Sequence, residues 1–528
     1  MNKYATRLWI VVIVLGWAFD FLFWGRMPGL NFAIFMALAL VGGLNLLLLN
    51  EIKPDWKSLL LIVPFAAFAW ITFWRQEPLT IFLAYLFTLL SLGLLAVSYM
   101  GGRWVRYSLI DYLYRFAMLA GSIIASPLMF LFQVRKEQKE VGESPKKLQL
   151  APIARGLIIA IPVVAVFTAL LASADLVFNQ KLGDFFGLFD IDRIGEYILR
   201  LFLIFFWAYV LAGIYLHAAS KSQDEKLVGE EKPIIAPFVG FTETSIVLGS
   251  VTILFILFVI VQFQYFFGGN VNIGVEDYTY SQYARRGFDE LLMVAIFSLL
   301  LVLGLGTVTK RETALQRGSF SGLSAAIVAC VLVILVSAFQ RITLANDWHG
   351  YSRLRLYPQI FLVWVGILFV VVVALEIFQR ERYFALAALL AAFGFAISLF
   401  FFNVDRTIVV HNVQRAVEGK HFNIAHLASL SSDAVPAMKE KFLDPSIPKP
   451  VHEGIGAALL CYMTLNPQDG KSSGDWRSFN YSRWQADWAV YILAKQWQGY
   501  RLGETKVSRR PTVRTPGNKL YECVGAVD

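Results

Sequence analysis

The sequence predicts an all-α protein: a polytopic transmembrane helix bundle with about eleven crossings, an in-plane or re-entrant helix, and a small helical C-terminal domain. Two observations predict this class. Apolar residues make up 57% of the chain and charged residues only 16%, whereas about a quarter of the residues in a soluble domain are charged. Long apolar runs also recur up to residue 402, and a helix of about 20 apolar residues spans the hydrocarbon core of a bilayer.

Each apolar run is expected to cross as a helix, because an unpaired backbone amide is costly in hydrocarbon. The first run keeps Asp20 near its centre and has no cleavage site after it, so it is not expected to be a removable signal peptide. The runs form a four-helix membrane segment within 1–106 and a seven-helix core within 156–402. They lie at 8–25, 30–49, 58–74, 79–98, 156–178, 197–217, 242–267, 289–308, 321–344, 356–378 and 384–402.

The segment 107–133 is ambiguous, because Asp111 and Arg115 precede a stretch apolar enough to cross. If the segment stays on one face, most loop Lys and Arg residues gather on a single side of the membrane, whereas a crossing divides them more evenly. Cytoplasmic loops are enriched in Lys and Arg. We therefore predict an in-plane or re-entrant helix and a basic cytoplasmic loop within 107–155, a cytoplasmic N-terminus and an extracytoplasmic C-terminal domain. The alternative is a further crossing that leaves the tail inside.

The region after residue 402 is more polar and predicts a helical domain at 403–500, followed by a basic, mobile tail at 501–528. Helical spacing appears at 405–418, 422–430, 433–443, 451–464 and 475–500. Cys461 and Cys523 would form a disulfide if this domain faces an oxidising compartment, and the sequence leaves that pairing open.

Three polar stretches are expected to meet on the outer face, at 267–289, 341–355 and 403–415. Guanidinium groups match carboxylates and phosphates bidentately, so these stretches predict a site for an anionic lipid or a cell-wall polymer. Helix capping and snorkelling side chains are the structural alternative. The candidate ligand-binding residues are Tyr283, Arg285, Arg286, Arg341, Asp347, Tyr351, Arg353, Arg355, Asp405, Arg406, Asn412 and Arg415.

No catalytic, metal-binding or cofactor-binding motif is recognisable. His411, His421 and His426 do not have the spacing of a known ligand helix. Because the basic residues lie mostly in short loops between apolar runs, they indicate membrane topology and not a nucleic-acid partner. We therefore expect no metal, no cofactor and no nucleic-acid partner. The expected partners are the lipid bilayer and the anionic ligand, and the sequence leaves protein partners open.

Three function classes follow, and a non-enzymatic envelope sensor or scaffold is favoured. A secondary transporter is the alternative, because polar residues inside membrane helices often line a path; these are Asp20, Gln262, Gln264 and Arg341. A membrane transferase is third and would act through Glu276, Asp277 or Asp405.

Four ordered strings carry a family resemblance: YSQYARRGFDEL, QRITLANDWHGYSRLRLY, NVDRTIVVHNVQR with HLASLSSDAVPAM, and DWRSFNYSRWQA. They resemble a bacterial multi-pass inner-membrane family catalogued only as a domain of unknown function, from about residue 20 to about residue 490. Its Tyr-Ala-Arg-x-Gly-Phe motif matches 283–288, and its Asp-Trp-Arg-x-Phe-Asn motif matches 475–480. The resemblance implies the fold and the bacterial plasma membrane but no activity.

Overall fold

The structure is a computed structural model that describes 2–140, 191–223, 236–267, 288–466 and 475–523, apart from 494, 495, 498 and 505–509, together with a few isolated positions between 167 and 227. The helices of the membrane region are α1 Asn2–Phe23, α2 Leu30–Leu48, α3 Trp56–Leu59, α4 Ile62–Trp74, α5 Pro78–Ser98, α6 Leu109–Glu140, α7 Ile191–Ser220, α8 Phe241–Phe267, α9 Phe288–Val308, α10 Ala314–His349, α11 Arg353–Ile377 and α12 Phe384–Phe402. The C-terminal elements are α13 Val404–Val417, α14 Ile424–Ala428, α15 Val435–Phe442, α16 Lys449–Leu465, α17 Tyr481–Leu493, β1 Arg501–Glu504, β2 Pro511–Arg514 and β3 Leu520–Glu522.

Within the described part of the chain, 11 helical stretches are long and apolar enough to cross a membrane. All but one match a run predicted from the sequence. The remaining one, Leu109–Val134, is the segment that we expected to be in-plane or re-entrant. The predicted crossing at 156–178 lies almost entirely outside the described residues. The prediction of an all-α polytopic bundle is confirmed.

The chain forms two compact units. The first contains 1–26, 34–54 and 116–223, and the second contains 27–33, 55–115 and 224–528. In the first unit α1 and α7 pack closely as antiparallel helices, because Gly16 has no side chain to collide with the carbonyl oxygen of Ile204. Asp20 accepts hydrogen bonds from the guanidinium of Arg200, at 3.0 Å from Nε and 2.6 Å from Nη2. The predicted intramembrane carboxylate therefore has a charged partner.

Helix α6 is continuous and lies across one end of the α1–α7 pair. Ser122 contacts His217 near the end of α7, at 2.9 Å between Oγ and Nδ1, and Phe130 packs edge-on against Tyr4 at the start of α1. Ser122 and Phe130 are about 12 Å apart along their helix, yet both contact the same end of the antiparallel pair. A re-entrant segment turns back, whereas α6 is one continuous helix from Leu109 to Glu140. Because its length and composition also permit a crossing, the in-plane placement stays a prediction.

The second unit is a row of antiparallel membrane helices. Helices α8 and α9 pack on α10, which packs on α11, and α12 lies between α11 and the α4–α5 hairpin. Side chains such as Phe320, Ile327 and Val331 fill the core around α10, while Phe68 and Phe393 pack between α4 and α12. Each helix buries one apolar stripe against its neighbours and leaves other apolar side chains exposed, as expected for a bundle surrounded by lipid.

The membrane helices of the second unit end on two opposite faces. At the face that we call the domain end, α4, α10 and α12 finish and α5 and α11 begin. The described residues of 403–523 pack there. The face that we call the loop end contains the connections 99–108, 309–313 and 378–383. There Arg311 forms ion pairs with Glu376 at 2.6 Å and with Glu381 at 2.9 Å. Arg311 thus links the connection 309–313 to the end of α11 and to the connection 378–383.

The C-terminal region has the predicted helices, except that 475–500 contains a shorter helix than expected. A 3₁₀ turn at Trp476–Ser478 precedes α17, which ends at Leu493. The hydrophobic core of this region includes Leu356 and Leu399 from the membrane helices. The apolar core therefore continues from the membrane helices into residues 403–528, which belong to the same compact unit.

The prediction of a mobile tail at 501–528 is wrong for the part of the tail that the structure describes. Strands β1, β2 and β3 form an antiparallel sheet in which each strand pairs with the next. A disulfide joins Cys461 of α16 to Cys523, and the backbone amide of Gly517 donates to the Glu453 carboxylate at 3.0 Å. These attachments order a segment whose composition alone suggested disorder. The open question of the Cys461–Cys523 pairing is answered by the disulfide.

Candidate functional site

A buried carboxylate at the domain end joins the membrane helices to the C-terminal region. Asp405, near the start of α13, is fully buried and accepts two parallel hydrogen bonds from Arg353, at 2.7 Å and 2.6 Å. The backbone amide and the hydroxyl of Ser431 donate to the same carboxylate, at 2.8 Å and 2.6 Å. Four donors satisfy the buried charge, as burial of a carboxylate requires.

A second set of bonds holds the turn between α10 and α11 against α13. Tyr351 donates its backbone amide to the side-chain oxygen of Asn412 at 2.7 Å and accepts from the Asn412 amide at 2.9 Å. Arg415 donates to the carbonyl oxygens of Asp347 and Trp348. Gly350 in this turn has φ +88°, and a Cβ there would meet the side chains of Arg415 and Asn412. The turn and α13 therefore form one interlocked joint.

Most of the described residues that we predicted to bind a ligand are bonded within the chain. The structure brings together Asp347, Tyr351, Arg353, Asp405, Asn412 and Arg415 as parts of the joint. Arg355 donates to the Gly350 carbonyl at 2.5 Å. Arg341 lies away from them within the membrane region, where it donates to Gln262 at 3.2 Å. Tyr283, Arg285 and Arg286 lie outside the described residues. These contacts give the joint residues a structural role, and ligand binding by them stays a prediction.

A cavity of about 470 Å³ lies beside this joint. It is positioned by the end of α12, the start of α13, the α4–α5 turn and the first turns of α17. Its walls combine apolar side chains from the membrane boundary with polar groups of the C-terminal region. The lining residues are Arg75, Phe401, Phe402, Asn403, Arg406, Thr407, Val410, His411, Asp433, Pro436, Ser482 and Gln485.

The acidic group in the cavity wall is already occupied by donors. Asp433 accepts from the backbone amides of Gln76 and Glu77, both at 2.7 Å, and from the Ser482 hydroxyl at 2.6 Å. Arg75 approaches the same carboxylate at 3.5 Å. Because these donors already compensate the charge of Asp433, its carboxylate contributes little negative potential to the cavity.

Basic groups and exposed rings make up much of the remaining lining. Arg75 donates to the carbonyl of Phe400 at 2.9 Å and lies over the Phe400 ring, while Arg406 has 58% of its side chain exposed. His411 stacks on Tyr351 with ring centroids 4.4 Å apart. The arrangement can hold an anion above an apolar surface.

Burial changes the acidity of three groups at the domain end. It raises the pKa of the Glu77 carboxyl, which caps α5 by accepting from the backbone amides of Leu79 and Thr80. Burial also raises the pKa of the Tyr351 phenol and lowers the pKa of the His426 imidazole. All three shifts have the same physical cause, because removal of water disfavours the charged form of each group.

No cluster of three His, Cys, Asp or Glu side chains that could hold a metal ion occurs among the described residues. Four polar residues of the cavity lining were not predicted from the sequence; they are Arg75, Asp433, Ser482 and Gln485. Arg75 lies in the short connection between two apolar runs, and this position at the membrane boundary was the one feature of the sequence that could have marked it as a site residue. The other three face the cavity only because the chain folds back onto the ends of α4 and α12.

Comparison with known proteins identifies a family but no relative with an assigned role. The family model described as "Domain of unknown function (DUF4153)" matches residues 62–441. This range is shorter than the resemblance from about residue 20 to about residue 490, and it ends before the motif at 475–480. No curated protein and no solved structure matches the chain. Since the family model covers well over half of the sequence, the chain belongs to the DUF4153 family.

Proposed function

We propose that this protein is a non-enzymatic sensor or scaffold of the bacterial plasma membrane that binds the headgroup of an anionic lipid in the cavity at the domain end. The observation that carries the proposal is the lining of that cavity. Arg75, Arg406 and His411 surround a space whose other walls include Phe401 and Phe402, at the end of a membrane helix. An anionic lipid matches both parts of this lining, because its headgroup can contact the basic side chains while its acyl chains contact the phenylalanine rings.

The electrostatics of the cavity support an anion over a cation. The Asp433 carboxylate is compensated by its donors, whereas the guanidinium of Arg406 pairs with Glu440 at 3.4 Å, and both of these side chains are more than half exposed. Such an exposed ion pair contributes little free energy. A phosphate can therefore replace Glu440 at small cost and accept a bidentate guanidinium interaction.

We infer that the domain end is extracytoplasmic, which places the cavity in the outer leaflet. In the short connections between the membrane helices of the second unit, and in the helix turns next to them, described basic residues are more numerous at the loop end than at the domain end, as expected for cytoplasmic loops. Those at the domain end are Arg75, Arg353 and Arg355, and those at the loop end are Lys57, Arg103, Arg106, Lys310, Arg311, Arg317, Arg380 and Arg382. The Cys461–Cys523 disulfide of the C-terminal region also suits an oxidising compartment.

The test is lipid retention by purified protein carrying Arg406→Glu. We expect native mass spectrometry to show that bound phosphatidylglycerol falls by about tenfold or more, because loss of a charge-assisted hydrogen bond costs at least about 1.5 kcal/mol. Lys420→Glu is the matched control, because Lys420 is also exposed and paired with a neighbouring carboxylate. Equal retention by both variants and the parent protein would overturn the proposal. Retention of a soluble anionic polymer in place of lipid would mean that the ligand of the cavity is a cell-wall polymer.

The two other function classes receive less support from the described contacts. Gln262 accepts from Ser337 at 3.0 Å and from Arg341, so these intramembrane polar groups serve as bonds between α8 and α10. Asp20 is paired with Arg200. Asp405, one of the three carboxylates through which a transferase would act, is bound by Arg353 and Ser431, and the other two, Glu276 and Asp277, lie outside the described residues. A transport path and a catalytic centre would both require these groups to face a space open to substrate.

A further inference from the structure

Helix α17 presents an aromatic face that the described part of the chain does not cover. Trp484 and Trp488 are 51% and 55% exposed, and Ile492 on the same side of the helix is also exposed. The opposite side carries Ser482, Ala486, Ala489 and Leu493, which are buried against the C-terminal core. A soluble helix places polar residues on its outer face, and α17 has large apolar residues there instead.

The start of α17 is fastened to the membrane boundary. The Tyr481 ring stacks on Trp74, the last residue of α4, with centroids 4.1 Å apart and planes 21° apart. The side-chain amide of Asn480 donates to the carbonyl of Arg75 at 3.0 Å. The backbone amide of Leu30, where α2 begins, donates to the carbonyl of Phe479 at 2.8 Å. Tyr481 therefore marks the direction from α17 toward the membrane helices.

Helical geometry points the exposed apolar residues in that same direction. With 3.6 residues per turn, Trp488 and Ile492 each lie within about 20° of Tyr481 around the helix axis, and Trp484 lies about 60° away. Asp487 lies about 120° away. The aromatic face and the Tyr481 ring thus look toward the membrane side, while the charged side of the helix looks away from it.

The next turn of α17 contacts a second point of the membrane boundary. Ser482 and Gln485 line the cavity together with Phe401 and Phe402, at the end of α12. The helix therefore passes over the ends of both α4 and α12 and runs along the domain end. Phe401 and Phe402 are themselves largely exposed, so the apolar surface of the membrane helices continues onto the face of α17.

We propose that α17 is an interfacial helix whose aromatic face lies in the headgroup layer of the bilayer that the membrane helices cross. Tryptophan is enriched at this depth because its ring is apolar and its N–H is polar. An amphipathic helix with Trp on one face and charged groups on the other lies in the plane of the interface. The contact needs no anionic lipid and is independent of the headgroup site proposed above.

The experiment uses full-length protein in nanodiscs of neutral phosphatidylcholine, with Cys330→Ala as background because the other two cysteines are paired. Trp488→Cys and Ile492→Cys each carry a nitroxide, and Asp487→Cys on the same helix is the control. Power saturation measures access to oxygen, which concentrates in lipid, and to a water-soluble nickel chelate. We expect the oxygen-to-nickel accessibility ratio at positions 488 and 492 to exceed that at position 487 by at least about threefold.

Two results would overturn the proposal. Nickel access at positions 488 and 492 equal to that at position 487 means that the face is in water. Shielding of these positions from both oxygen and nickel means that a protein surface, such as a second copy of the chain, covers the face. Because the nanodiscs contain no anionic lipid, either result leaves the test of the headgroup site unaffected.

Discussion

At the residue scale, buried carboxylates connect distant parts of the chain. Asp405 joins α11, α13 and the segment before α15 through Arg353 and Ser431. Asp433 joins the α4–α5 turn to α17 through backbone amides and the Ser482 hydroxyl. A buried charge without its partner is expensive, whereas an exposed ion pair contributes little. Removal of one partner should therefore lower the free energy of unfolding much more at a buried ion pair than at an exposed one.

We predict that Asp405→Ala destabilises the protein by about 3 kcal/mol or more, because it leaves the Arg353 guanidinium in a largely buried site without its partner. Glu440→Ala breaks the exposed pair with Arg406, whose side chains are 58% and 61% exposed, and should cost less than about 1 kcal/mol. Thermal unfolding in detergent measures both variants. Similar shifts in melting temperature would show that the Asp405 bridge does not support the joint.

At the scale of elements, the small sheet depends on its attachment to α16. Three short strands are marginal by themselves, and Val513 is the one apolar side chain that β2 buries fully, next to the buried Thr512. The Cys461–Cys523 disulfide closes a sequence separation of 62 residues, and a cross-link of that length removes conformational entropy from the unfolded chain. The disulfide therefore accounts for order in a basic segment that lacks a core of its own.

We predict that Cys523→Ser loosens the sheet and lowers the free energy of unfolding of the C-terminal region by about 2–4 kcal/mol. Hydrogen–deuterium exchange should become faster in 511–514 and 520–522, while exchange in α10 stays unchanged. Cys330→Ser serves as control, since Cys330 is a free thiol. Unchanged exchange in both strands would mean that packing alone orders the sheet.

At the scale of the whole molecule, our proposal that the domain end of the second unit is extracytoplasmic rests on two observations, the basic residues in the short connections of the loop end and the disulfide of the C-terminal region. The two lines of evidence are independent, because one concerns basic residues at the loop end and the other concerns thiols in the C-terminal region. The proposed headgroup site requires this orientation, since it places the cavity in the outer leaflet.

We predict that a membrane-impermeant maleimide labels Lys420→Cys on intact spheroplasts and labels Arg317→Cys only after permeabilisation, both in the Cys330→Ala background. Lys420 follows α13 in the C-terminal region, and Arg317 lies in the first turns of α10 at the loop end. The reverse pattern would place the C-terminal region in the cytoplasm and would remove the basis for an outer-leaflet ligand.

The sequence by itself determined the membrane spans and most helices of the C-terminal region, because the length of an apolar run and the spacing of buried residues are local properties. It also located the polar stretches around Arg353 and Asn412. It misjudged the tail, since strands of three or four residues leave almost no periodic signal and the disulfide joins them to a helix 62 positions away.

Only the tertiary structure decided what the charged side chains do. Arg353 pairs with Asp405 at a separation of 52 positions, and Asp433 accepts from Gln76 at a separation of 357 positions. Composition can show that such groups are present, but a partner so far along the chain is selected by packing. The C-terminal region folds onto the ends of α4 and α12, and no local sequence pattern encodes this contact. It creates the cavity of Arg75 and Arg406, and it turns Trp488 toward the membrane side.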